Sequence, residues 1–170
     1  AVATQTAQYV ECVKGTGVKI YDTRKTLPGW RSAQKYAVRI GGGFNHRMGL
    51  YDAFLIKENH IYALGSICEA VKRARAVNMQ LPLEVEVETL EQLEEALFCN
   101  VSLILLDNFD VSQVCKAVAI TRGRAVLEAS GGIDMSSLKR IAQAGVDRIA
   151  VGALTKHIRA IDLSFHIGAE

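Results

Sequence analysis

The sequence lacks any apolar run of membrane-spanning length and carries no recognisable signal peptide. A transmembrane or secreted protein is therefore not expected. Its four cysteines, Cys12, Cys68, Cys99 and Cys115, are widely spaced and form neither a CxxC pair nor a Cys/His pattern. That argues against a zinc site or a disulfide frame and for reduced, mostly buried thiols in a cytoplasmic protein. Net charge is also scarce: 20 Lys and Arg against 18 Asp and Glu leave only +2. Non-specific nucleic-acid binding wants a basic face across the whole domain, so no nucleic-acid partner is expected, and no membrane partner either. There is no repeat, no low-complexity stretch, no internal linker and no Rossmann fingerprint. What is present is 170 residues of near-average apolar content, one globular domain able to bury a core.

Short apolar runs alternate with helical patterns from end to end. Val18–Tyr21, Ala53–Ile56, Leu83–Val87, Ser102–Leu106, Ala125–Glu128 and Arg148–Val151 read as strands. Helical spacing covers Trp30–Ile40, Ser66–Val77, Leu90–Phe98 (opened by Thr89), Val111–Thr121 and Ser136–Ala144. A last apolar segment, Leu163–Ile167, lies near the end. Such alternation with short connections predicts a parallel sheet with right-handed crossovers. Six or seven βα units favour an incomplete, open α/β barrel of the TIM type, with an open doubly wound sheet as the competitor. Ala1–Lys14 reads as a helix entered in mid-course, without an initiator Met or a capping residue. The expectation is a piece of a longer chain.

The positive charge that does exist is concentrated. From Arg24 to Lys57 there are Arg24, Lys25, Arg31, Lys35, Arg39, Arg47 and Lys57, with Asp52 as the only Asp in this stretch. Glycines (Gly29, Gly41-Gly42-Gly43, Gly49) run through it and let backbone approach a ligand. Clustered cations on permissive backbone suggest a small molecule with several negative charges.

Unusual polar residues also fall at corresponding places. Arg24 and Lys25 follow the first strand, Lys57 ends the second, Glu86 lies on the third and Asp107 closes the fourth. Ser130-Gly131-Gly132 follows the fifth and Val151-Gly152-Ala153 the sixth. In parallel barrels the active site is built at the carboxyl ends of successive strands. Each feature has a plainer reading. Lys57 can snorkel from a strand end. The alternation in LEVEVE puts Glu84, Glu86 and Glu88 on one face, but either they or the valines can point inward. Asp107-Asn108 can cap a helix, and the two Gly turns serve ordinary βα geometry as well as phosphate binding. His46-Arg47 reads as a loop salt-bridge pair or as a donor pair facing an anion. His60, His157 and His166 show no metal-ligand spacing, and Trp30 reads as packing.

TRKTLPGWR, GGGFNHRMGL, IKENHI, LEVEVET, LILLDNF, EASGGI and RIAVGALT occur in this order and at these separations. Together they resemble the catalytic domain of the quinolinate phosphoribosyltransferases, and the resemblance covers essentially the whole chain. It implies an incomplete α/β barrel of the type II phosphoribosyltransferases; the acidic-run motif of the flavodoxin-like class is indeed missing. It implies transfer of phosphoribosyl from 5-phosphoribosyl 1-pyrophosphate to quinolinate, with decarboxylation, giving nicotinate mononucleotide for NAD biosynthesis. By that resemblance Thr23, Arg24, His46, Arg47 and Lys57 line the dicarboxylate pocket with Lys25 nearby. Glu86 and Asp107 hold the ribose and the Mg2+-bound phosphoribosyl group without ligating the metal directly. Ser130, Gly131, Gly132, Val151, Gly152 and Ala153 cradle the 5-phosphate. Catalysis falls to Lys25, Lys57, Glu86 and Asp107. Family members also form a homodimer and carry an N-terminal lid domain that this chain is expected to lack, leaving it with little activity alone. A related phosphoribosyltransferase acting on another heterocycle, a molybdenum-transport-associated homologue and an inactive phosphate-binding fragment are the rival expectations.

Overall fold

The computed structural model describes residues 1–168. Helix α1 (Val2–Cys12) leads into β1 (Lys19–Tyr21), α2 (Arg31–Ile40) and β2 (Phe54–Ile56). Two helices follow, α3 (Glu58–Leu64) and α4 (Ile67–Val77), then β3 (Leu83–Val87), α5 (Leu90–Phe98) and β4 (Leu103–Asp107). The chain continues with α6 (Val111–Thr121), β5 (Val126–Ser130), α7 (Met135–Gln143), β6 (Arg148–Ala150) and α8 (Ala153–Lys156). The expected strands and helices are all present, within a few residues of their expected ends. Leu163–Ile167 forms no regular element, and α3 and α8 were not anticipated. No helix among the described residues is long and apolar enough to cross a membrane.

All six strands are parallel, in the order β1-β6-β5-β4-β3-β2. This is a cyclic order in which every strand from β2 to β6 lies beside its successor and β6 returns to β1. A doubly wound sheet reverses order at a switch point; this one does not. It is a barrel wall left open between β1 and β2.

Strand alternation gives the wall two faces. Ile20, Val85, Val87, Ile104, Leu106, Leu127, Ala129 and Ile149 point outward and are buried. They meet the apolar stripes of the helices, including Ile67, Val71, Leu93, Ala96, Val114, Ala117, Leu138 and Ile141, in one continuous core. Fully burying a side chain of this kind contributes about 1.5–3 kcal/mol, so this layer supplies most of the stability. The helices start where oxygen-bearing residues accept free N–H groups. Ser66 accepts from Glu69, Thr89 from Gln92, Asp110 from Gln113, and Asp134 from Ser136 and Ser137. Each such cap contributes about 1 kcal/mol.

The inner face is polar. Glu84 and Glu86 point into it while Val85 and Val87 take the core side, which decides the alternation in LEVEVE. Two expectations are corrected. Cys68 at the start of α4 and Cys99 after α5 form a disulfide with Cα atoms 5.5 Å apart, because α4 and α5 pack side by side. None of the four cysteines is fully buried: Cys12 is half-buried and Cys115 exposed. Trp30 does not pack into the core but stands 65% exposed just before α2.

Candidate active site

The open side of the barrel is closed by the segment between α2 and β2. Phe44 bridges to Tyr21, its N–H donating to Ile20 O at 2.8 Å and its carbonyl accepting from Asp22 N at 3.0 Å. At the other edge Arg47 Nη1 donates to Ala53 O at 2.8 Å. Residues 44–53 thus serve as a non-strand stave across the gap, and Asp52 holds its turn by accepting the N–H groups of Met48 (2.7 Å) and Gly49 (3.2 Å). Burial alone would raise the Asp52 pKa, but those bonds and the charge of Arg47 together outweigh it and hold the carboxyl below its ordinary value.

A cleft opens at the carboxyl ends of the strands, lined by Thr23, Arg24, Lys25, His46, Arg47, Lys57, Glu86 and Ser130, over a floor of Leu55, Leu105, Glu128 and Ala150. Eight of the residues expected at the site therefore meet in one place. Asp107 ends β4 beside them, its Oδ2 accepting from Asn108 Nδ2 at 2.9 Å. The Gly turns flank the cleft without lining it. Gly152 lies against Thr23 and the Lys25 stem, and Gly131 presses on Asn108 with φ +94°. Among the described residues the N–H groups of Gly131 and Gly132 have no backbone acceptor. Val151 departs from expectation: its N–H donates to Tyr21 O at 2.9 Å and its side chain is in the core, so only its backbone faces the rim. Ala153 likewise packs against the core at the start of α8.

The cations fall into distinct roles. Arg24 Nε and Arg47 Nε are both buried without a hydrogen-bond partner among the described residues. Burial, and then the charge of Arg24, lowers the Arg47 pKa. Two desolvated like charges with unused donors are unfavourable in the protein alone and favour an anion between them. Lys57 Nζ contacts both oxygens of Glu86, at 2.8 and 2.6 Å. Burial pushes the Glu86 carboxyl up, with Asp107 and Glu58 adding to it, against the opposing pull of Lys57. Arg31 is structural, donating to Met48 O (3.0 Å), Arg24 O (3.3 Å) and Thr26 Oγ1 (3.2 Å). Arg39 is exposed away from the cleft and Lys35 is buried behind it.

His46 reaches through the stave to the inner face. Its Nε2 lies 2.8 Å from Glu84 Oε2 and 3.3 Å from Glu128 Oε1. Burial alone would lower its pKa; hydrogen bonding and charge from Glu128 and Glu84 outweigh that and raise it to about 10. The Glu128 contact is the weaker of the two, since neither Glu128 oxygen has an aligned hydrogen-bond donor. Burial, and then the charge of Glu84, pushes the Glu128 carboxyl up. In the neutral ring Arg47 N donates to His46 Nδ1 at 3.0 Å, leaving the Nε2 proton for the carboxylates; the imidazolium that the carboxylates favour gives up that bond. The three ligand atoms lie within 4.8 Å of one another, a spacing compatible with a metal ion. However, Nε2 already occupies Glu84, and Arg47 and Arg148 act electrostatically on the two carboxylates. The cluster is better suited to sharing protons than to a divalent cation.

Glu84, Glu128, Asp22 and Lys35 are residues in or behind the cleft to which sequence reasoning gave no role of their own, Lys35 being counted only among the clustered cations. Glu84 and Glu128 were findable, being in phase with Glu86 and Ser130 on their strands. The other two carry no comparable signal.

Fold and cleft define an α/β-barrel domain whose strand-end rim is built for a ligand with several negative charges. The family described as quinolinate phosphoribosyl transferase, C-terminal domain, matches residues 2–166, and the chain belongs to it. The chain is 50% identical over 169 residues to the nicotinate-nucleotide pyrophosphorylase [carboxylating] of Mycobacterium leprae, covering 98% of this chain and 60% of that protein. It is 46% identical over 167 residues to the probable enzyme of the same name from Bacillus subtilis, covering 98% and 58%. The solved nicotinate-nucleotide pyrophosphorylase of Francisella tularensis superposes with a TM-score of 0.93 at 52% identity, over 96% of this chain and 58% of that one. The chain thus spans about 60% of the length of the curated relatives it matches.

Proposed function

We propose that this domain transfers the phosphoribosyl group of 5-phosphoribosyl 1-pyrophosphate to quinolinate, with loss of CO2, as a nicotinate-nucleotide pyrophosphorylase (carboxylating) of NAD biosynthesis. The observation that carries the reading is the convergence of Arg24 and Arg47, each with a buried, unpartnered Nε, in a cleft that also holds Lys57 and His46. A planar dicarboxylate offers the paired acceptors that guanidinium groups bind best. A monocarboxylate would leave one guanidinium uncompensated.

On the opposite side the cleft turns acidic and then Gly-rich. Glu86 and Asp107 are placed to accept ribose hydroxyls. The N–H groups of Gly131 and Gly132 and the turn at Gly152 are suited to the 5-phosphate. As pyrophosphate leaves, positive charge develops at the anomeric carbon, and the two carboxylates stabilise it. Lys25, and Lys57 once it exchanges Glu86 for ligand, neutralise the departing phosphates. The donor set fits Mg2+ carried by the phosphoribosyl pyrophosphate, with Glu86 and Asp107 near it, and the ion would supply charge neutralisation of the leaving group. Decarboxylation follows from the cationic ring nitrogen of the product, so the cleft requires no activated nucleophile; it works by positioning and electrostatics. A homodimer and a cytoplasmic location complete the reading. A reducing cytoplasm would hold Cys68 and Cys99 as neighbouring thiols.

Calorimetry with quinolinate, nicotinate and phosphoribosyl pyrophosphate plus Mg2+ tests the proposal. Quinolinate is expected to bind well ahead of nicotinate; equal affinity would sink the assignment. A parallel assay for nicotinate mononucleotide separates catalysis from binding alone.

A further inference from the structure

Lys35 and Asp22 form an ion pair with relative exposures of 1% and 0%. Neither lines the cleft. Burying such a pair costs desolvation that Coulomb attraction alone rarely recovers, so stability is a poor reason for it. Its other bonds are more telling. Asp22 Oδ1 accepts the His46 N–H at 2.8 Å, and Lys35 Nζ donates to the His46 carbonyl at 2.7 Å. Asn45 Nδ2 donates to Asp22 Oδ2 at 2.6 Å and to Lys35 O at 2.9 Å. The pair therefore grips both backbone groups of His46, from the end of β1 and from the middle of α2.

This grip falls where no strand pairing holds the stave, whose one other main-chain anchor from outside it past Phe44, among the described residues, is Arg31 on Met48 O. Phe44 is tied to β1, but from Asn45 to Asp52 no strand pairing holds the chain. Arg47 is the next residue, and among the described residues its guanidinium makes one hydrogen bond, to Ala53 O, with Nε buried and unpartnered. The position of that guanidinium near Arg24 thus follows the backbone on either side of it, held at His46 by the pair and at Met48 by Arg31.

We propose that Asp22 and Lys35 are positioning residues for the dicarboxylate half of the cleft. They act through the His46 backbone to set Arg47 against Arg24, and they touch no substrate. This rests on reading the cleft as a dicarboxylate site, and it goes beyond that reading by assigning the affinity for that ligand to two residues outside the cleft. Lys35 is held below its ordinary pKa by burial, against the pull of Asp22, which agrees with a group shut away from solvent.

The test compares Lys35→Met with the charge-neutral double variant Asp22→Asn/Lys35→Met, which leaves no buried charge uncompensated and decides the matter if the single variant does not fold. Three measurements are made on each folded protein: thermal unfolding, calorimetry with quinolinate and with phosphoribosyl pyrophosphate plus Mg2+, and amide hydrogen exchange at His46 and Arg47. Because misplacement by about 1 Å weakens a site by up to about a hundredfold, the quinolinate Kd is expected to rise by about ten- to a hundredfold, with phosphoribosyl pyrophosphate within about threefold. Exchange at the His46 amide is expected to accelerate. Equal loss of both ligands, or unchanged quinolinate affinity, would overturn the proposal, since a merely structural pair predicts one or the other. If the unmodified protein fails to bind quinolinate, the functional reading falls. The exchange measurement then still judges the grip: undiminished protection at His46 refutes it, and lost protection upholds it.

Discussion

Arg47→Ala is the sharpest probe of the cleft. In the protein alone this guanidinium makes one hydrogen bond, to Ala53 O at 2.8 Å, while its Nε is buried without a partner and Arg24 stands beside it. Losing one neutral-acceptor bond costs about 0.5–1.5 kcal/mol, and relief of the repulsion from Arg24 offsets part of that. The melting temperature should therefore move by no more than about 5 °C. Ligand binding is different. Nε and a free Nη offer two charge-assisted bonds to a carboxylate, each worth about 1.5–3 kcal/mol. Water and the remaining Arg24 will recover some of this, so a net loss of about 2–4 kcal/mol is expected, a rise in quinolinate Kd of about thirty- to a thousandfold. Phosphoribosyl pyrophosphate, which the proposed function seats at Glu86 and Asp107, should weaken by less than about threefold. Discrimination against nicotinate should shrink as well, because the second carboxylate is the group that loses its partner. Calorimetry at one salt concentration, paired with thermal unfolding, measures all of this. A loss shared equally by both ligands, or a collapse in melting temperature, would mean that Arg47 is a structural strut of the stave and that the dicarboxylate assignment is wrong.

Three further expectations follow from the same geometry. Glu86→Gln removes a carboxylate that engages Lys57 through both oxygens. It should weaken phosphoribosyl pyrophosphate–Mg2+ by about tenfold, with quinolinate nearly unaffected; calorimetry showing the reverse order would contradict the ribose assignment. Gly131→Ala places a Cβ into the Asn108 side chain and backbone N at φ +94°. It should cost about 1–3 kcal/mol in denaturant unfolding, whereas Gly132→Ala, at φ +58° in open space, should cost about 1 kcal/mol or less; equal costs would discount the contact with Asn108. His46 has its pKa raised from 6.5 to about 10, so the stability it contributes is complete below about pH 6.5 and is lost as pH rises through about 10. The stability difference between the protein and His46→Gln should accordingly shrink toward alkaline pH, and an NMR titration midpoint of His46 near 6.5 would refute the cluster.

The sheet and most of the rim were legible because they depend on local rules. Apolar runs separated by helical spacing imply parallel strands, and parallel strands gather their carboxyl ends, so Lys57, Glu86 and Asp107 could be placed side by side from position alone. Lys35 was not legible in this way. A lysine on a helix ordinarily reads as solvated, and the partners that bury it lie 13 and 11 positions away, in Asp22 and at His46 O. His46 does line the cleft, but its contacts with Glu84 and Glu128 depend on the stave crossing the barrel gap, which no local pattern reports. Helix α3 escaped because its seven residues include none that is buried, and so it leaves no amphipathic stripe. The disulfide escaped because it joins positions 31 apart that become neighbours only when α4 and α5 pack.

The stave has a consequence for how such a cleft can diversify. Register couples β1 to β6 and each later strand to the next, so altering one strand disturbs its neighbours on both sides. Residues 44–53 join no ladder beyond the bridge at Phe44, and yet they present His46 and Arg47 to the cleft. That part of the cleft is thus an exchangeable insert, while Glu86 and Ser130 are built into the sheet. On the proposed dicarboxylate reading, replacing the insert is a way to change which acid the domain accepts without rebuilding the domain itself.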